Sequence, residues 1–70
     1  MIADFRENKR DNTVILDVRE EKTHRLLFTS SGANKKDSIV HLSRHLTQLQ
    51  RDGILAGWVL TFLEVLNAGL

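Results

Sequence analysis

His41 and His45 stand four residues apart, one turn of a helix, where two imidazoles share a face and could hold two corners of a metal site. A site needs more than that. No glutamate lies between them, and the nearest acids are Asp37, four residues before His41, and Asp52, seven after His45. Two ligands leave a coordination shell open, so the pair reads as surface histidines, and neither a metal nor a cofactor is expected. Ser30, Ser31, Ser38 and Ser43 offer hydroxyls. None lies in the strand–turn–helix setting that exposes a serine nucleophile, and no acid–base pair follows from spacing. Asp17 interrupts an apolar run, and alternation sends it outward with Ile15, onto the solvated face of the sheet. Catalysis is not expected.

Binding has a better pattern. Arg44, Arg51, His41 and Gln48 fall on one side of a helix, with Lys36 near one edge and His45 near the other. The face is cationic and free of carboxylates, and guanidinium groups fork onto phosphates. Lys35 and Lys36 extend it into the small-residue loop Ser30–Lys36. There, backbone N–H groups at a helix start can cradle an anion, although the spacing of a P-loop is absent. These residues are the candidate nucleic-acid or anion surface, set against the ordinary alternative of a solvated charged face.

Leu42-Ser-Arg-His-Leu-Thr-Gln-Leu-Gln-Arg-Asp-Gly-Ile-Leu55 resembles the recognition helix and following turn of Crp/Fnr-type winged-helix regulators. The resemblance implies operator contacts through Ser43, Arg44 and Gln48. It covers about a fifth of the chain. The family's short upstream helix and tight turn are missing, since Leu27–Ala33 reads as strand and loop. Its β-wing is missing too, because an apolar helix follows. The likeness is that of one amphipathic helix, and membership of the family is not drawn from it.

The elements that must position these residues follow from hydrophobic periodicity. Thr13–Arg19 is rich in β-branched residues, with Val14, Leu16 and Val18 alternating onto one face. Arg25–Ser30 follows a polar turn and forms a hairpin with it, placing Leu26 and Phe28 against that face. Ile2–Arg6 is either a third strand or a loose end. Asn34 is placed to cap a helix with Asp37 in its first turn, where a negative charge suits the dipole. Ile39, Leu42, Leu46 and Leu49 then recur at spacings of three, four and three, a narrow helical stripe. Asp52-Gly53 is expected to end this helix, the glycine in a left-handed conformation. A second helix runs on to about Asn67, with Gly69 as its stop. The fold class is α+β: a small antiparallel hairpin or three-stranded meander followed by a two-helix hairpin, in one domain over residues 1–70.

That last helix is too apolar for the domain that must cover it. Ile54, Leu55, Trp58, Val59, Phe62, Leu63, Val65 and Leu66 fall within an arc of about 180°, whereas a surface helix needs a stripe nearer 100°. Each large side chain left wet forfeits about 1.5–3 kcal/mol. Ile54, Leu55, Trp58, Val59, Phe62, Leu63 and Leu66 are therefore the candidate interface of a homodimer or higher homo-oligomer. Seventy residues without a cysteine allow no disulfide to support so small a core. Ten basic against nine acidic residues give a formal charge of +1, so no global pull draws the chain to nucleic acid or membrane. No membrane span is expected either, because Ile54–Leu70 is short and carries Glu64. The expected protein is cytoplasmic and non-enzymatic. It is a regulator or adaptor that self-associates and binds a protein partner, with nucleic-acid binding by the basic helix as the alternative.

Overall fold

The computed structural model describes residues 1–48 and 53–70. Three strands, β1 (Ile2–Asn8), β2 (Thr13–Arg19) and β3 (Leu26–Gly32), form an antiparallel sheet in the order β1-β2-β3. Two helices follow, α1 (Lys35–Gln48) and α2 (Gly53–Ala68). This is the expected α+β arrangement, with the leading segment ordered as a full third strand.

Both hairpin turns are held by short polar side chains. Asn12 and His24 take positive φ, at 57° and 58°. In the first turn the Asp11 carboxylate accepts the Thr13 hydroxyl at 2.7 Å. In the second, the Glu20 carboxylate accepts the Thr23 N–H at 2.9 Å and its hydroxyl at 2.6 Å. The Thr23 hydroxyl, and then the Thr23 and Lys22 backbone N–H groups, hold the Glu20 carboxyl below its ordinary range.

The helices cover one face of the sheet. Leu16 and Val18 from β2, Ile39, Leu42 and Leu46 from α1, and Ala56, Val59 and Leu63 from α2 make the core, with Ala3, Phe5 and Phe28 packed against it. A β-bulge between Val18 and Arg19 alters the expected pairing. Val18 faces Phe28, but Arg19 faces Leu26, so Leu27 is the extra residue. Phe28 reaches the core as expected. Leu26 does not: the inserted residue turns it away, and it is exposed.

Asn34 caps α1 as its sequence position requires. Its side-chain Oδ1 accepts the Asp37 N–H at 2.9 Å and its carbonyl accepts the Ser38 N–H at 3.1 Å. Gly53 departs from expectation, because it opens α2 instead of closing α1 in a left-handed conformation. No glycine among the described residues has positive φ. The expected last positions of α1, Leu49 to Arg51, and its stop at Asp52 lie outside the described residues.

Candidate interaction surfaces

The first candidate surface is the basic side of α1, and the structure divides it. Arg44, His45 and Gln48 are exposed together as expected. His41 is tied to the sheet: its Nδ1 donates to the Ser31 carbonyl at 2.7 Å, since a carbonyl can only accept. Lys35 folds back so that its Nζ stands 5.3 Å from the centre of the Phe5 ring, a cation–π contact over the core's edge. Lys36 remains exposed, whereas Arg51 lies outside the described residues. Arg44 also borders a groove of about 400 Å³ between α1 and α2, whose other wall carries Glu64 and Asn67. The Asn67 Oδ1 is buried there with no donor among the described residues.

Two of the four serine hydroxyls are committed to the backbone. Ser38 donates to the Lys35 carbonyl at 2.6 Å and Ser43 to the Ile39 carbonyl at 2.9 Å. His41 and His45 gain no third ligand: among the described residues, no cluster of three histidines, aspartates or glutamates could hold a metal ion.

The second candidate surface is α2, and here the wide apolar arc splits. Val59 and Leu63 are fully buried and Phe62 and Leu66 lean on the core, so Val59 and Leu63 are not available to a partner. This corrects the expected interface, because the monomer itself uses the centre of the arc. Ile54, Trp58 and Val65 remain on the far side, 72%, 65% and 70% exposed, with Leu55 at their flank. Val65 belongs to this outward group although the expected interface omitted it. Its position on the helical wheel, between Ile54 and Trp58, already pointed that way.

The third feature went largely unread in the sequence. Asp17 lies on the sheet face away from the helices, as alternation requires, yet it is only 3% exposed and so is not solvated as expected. Arg6 of β1 donates its Nε to Asp17 Oδ2 at 2.7 Å, and Thr29 of β3 donates its hydroxyl to Oδ1 at 3.0 Å. Burial alone would raise this carboxyl. The Arg6 and Thr29 hydrogen bonds and the Arg6 and Arg19 charges outweigh it, so the group sits below its ordinary 3.8. A carboxyl lowered by folding stabilises the fold above its unfolded pKa, and that contribution disappears as pH falls through the folded value. The Asp17 contribution should therefore be level near neutrality and drop as the medium is acidified below about pH 4. Arg6→Ala should cost about 1–3 kcal/mol at pH 7, less than for a fully buried pair because the Arg6 side chain is 61% exposed. Urea melts at pH 7 and pH 3 check this: the Arg6→Ala deficit should shrink at the lower pH.

Comparison with known proteins finds no matching family model, no similar curated protein and no similar solved structure. Among the described residues no helix is long and apolar enough to cross a membrane.

Proposed function

We propose that this chain is a small non-enzymatic regulatory or adaptor protein that self-associates through the outer face of α2 and offers its remaining surface to a macromolecular partner. The observation that carries this reading is the stripe of Ile54, Trp58 and Val65, three large apolar side chains left in water on the side of α2 opposite its buried face. Surface area supports it. The chain exposes 5193 Å², against about 4,450 Å² for a compact monomer of 8.0 kDa. The surplus is spread over the whole chain, and the exposed Ile54, Trp58 and Val65 are part of it. β1 is an edge strand, with no strand beyond it among the described residues, which suits it to accept an extended segment of a protein partner.

Sedimentation over a concentration series tests the self-association. The mass should rise from that of one chain towards that of two or more. Trp58, the chain's one tryptophan, should shift its emission to the blue over the same range as its indole leaves water. A single-chain mass at every concentration, with emission unchanged, would overturn the reading.

A second reading rests on the shared exposure of Arg44, His45 and Gln48, with Lys36 at the start of the same helix. If this face meets phosphates, a labelled DNA duplex titrated at low salt should bind micromolar protein and release it at physiological salt. Arg44→Ala should reduce the salt slope by about one. The commitment of Lys35 to Phe5 and of His41 to Ser31 makes this the weaker of the two readings. No binding at low salt would retire it for duplex DNA.

A further inference from the structure

Resting on the self-association reading, we propose that the occupant of the α2 stripe is a second copy of this chain whose α2 runs antiparallel, with Ile54 against the partner's Val65 and Trp58 against the partner's Thr61. The outward residues Ile54, Trp58, Thr61, Val65 and Ala68 recur at spacings of four, three, four and three. That is the 3.5-residue repeat of a two-helix seam, and it is separate from the face that buries Ala56, Val59 and Leu63.

Side-chain size chooses the direction. A parallel pair stacks each seam residue on its own copy, setting indole on indole at Trp58 and leaving a small threonine pair one layer away. The antiparallel pair sets the indole over a threonine in both central layers and matches Ile54 with Val65 at both ends, so all four layers have similar volume.

The flanks agree. Leu55 and Phe62 border the seam on one side, and Gly57 and Glu64 border it on the other. Reversing one helix brings like flank to like flank. Leu55 then meets the partner's Phe62 twice over, and the two copies of Glu64 share a wet margin. A parallel pair would instead press each Glu64 towards Phe62 of the other chain, desolvating a carboxylate with no partner. Gly57 fits this placement. It sits inside a helix, where glycine is unfavourable, yet a Cβ built there would meet nothing within 4 Å among the described residues. The chain's own packing gives no reason for a glycine. A neighbouring helix on that side does.

Because the chain has no cysteine, introduced thiols report contacts without background. Ile54→Cys and Val65→Cys proteins are mixed, allowed to exchange and oxidised in a thiol–disulfide buffer. Intact mass should then show mainly the mixed disulfide, which joins position 54 of one chain to position 65 of the other. Predominance of the two homodisulfides would overturn the antiparallel arrangement while leaving self-association standing. Absence of any disulfide in variants that sediment as dimers would move the interface away from this stripe. A single-chain mass for the unaltered protein would overturn the self-association reading and this inference with it.

Discussion

Leu63→Asp should leave no folded protein, whereas Trp58→Asp, five residues earlier on the same helix, should leave the fold intact and remove only self-association. Leu63 is 1% exposed in the middle of the core and Trp58 is 65% exposed on the opposite side of α2. The first substitution loses the burial of a leucine, about 1.5–3 kcal/mol. It also places a carboxylate among Leu42, Leu46 and Val59, where an unpaired charge costs several kcal/mol more or must be protonated to remain. A domain of this size has roughly 5 kcal/mol to lose, so the sum exceeds its stability. Far-UV circular dichroism of Leu63→Asp should lack the helical signal and show no cooperative melt. Among the described residues Trp58 is not part of the core, and exposed substitutions of that kind stay within about 0.5 kcal/mol. Its melt at low concentration should overlay the parent, and its sedimenting mass should stay that of one chain. A Trp58→Asp protein that remains associated would remove α2 from the interface, and a native melt for Leu63→Asp would contradict the packing of α2 on α1.

The contrast between those two positions also shows what the sequence made legible. Apolar periodicity located β2 through Leu16 and Val18 and α1 through Ile39, Leu42 and Leu46, because burial is repeated at the period of each element. Asn34 was readable as a cap because the reason is local, a side-chain oxygen within reach of the first-turn N–H groups. Periodicity could not divide the α2 arc. Val59 and Trp58 are both apolar and adjacent in sequence, and which of them the monomer covers depends on where α1 lies. The bulge that turns Leu26 outward escaped for a related reason: an inserted residue shifts register without leaving a compositional mark, and Leu27 is as apolar as its neighbours. Alternation puts Asp17 on the face it occupies, but its burial depends on Arg6 and Thr29 arriving from two other strands. Lys35 and His41 stay exposed on the basic side of α1, but each is also held by a contact that periodicity does not reveal, with Phe5 and with Ser31, residues that the sheet brings near the helix.

Two glycines should respond in opposite directions to the same added methyl group. Gly32 is buried at the end of β3, just before the cap of α1. A Cβ there would stand 2.6 Å from the Ser38 N and 2.7 Å from both the Asp37 carbonyl carbon and the Asp37 Cβ. Gly32 does not adopt a positive φ, so it is required for space and not for conformational freedom. The atoms it meets are mainly backbone, and they are pinned. The Asp37 and Ser38 N–H groups are held by Asn34, and the fully buried Ser38 hydroxyl is held by the Lys35 carbonyl. The first turn of α1 cannot retreat without breaking its cap, worth about 1 kcal/mol in itself, and lifting off β3. Gly32→Ala should therefore destabilise by about 2–3 kcal/mol, at the upper end for an overpacked site. In a domain of this length that lowers the melting temperature by roughly 10–20 °C. Gly57→Ala adds the same methyl group to open space inside α2 and should raise stability by about 0.5–1 kcal/mol through helix propensity. Thermal melts of both variants at one low concentration compare them without interference from association. A Gly32→Ala melt within a few degrees of the parent would mean that β3 and the first turn of α1 stand farther apart than this packing places them. The opposite signs would locate the close approach at the strand–helix junction, the contact that sets how α1 lies across the sheet and, through it, which side of α2 is left facing water.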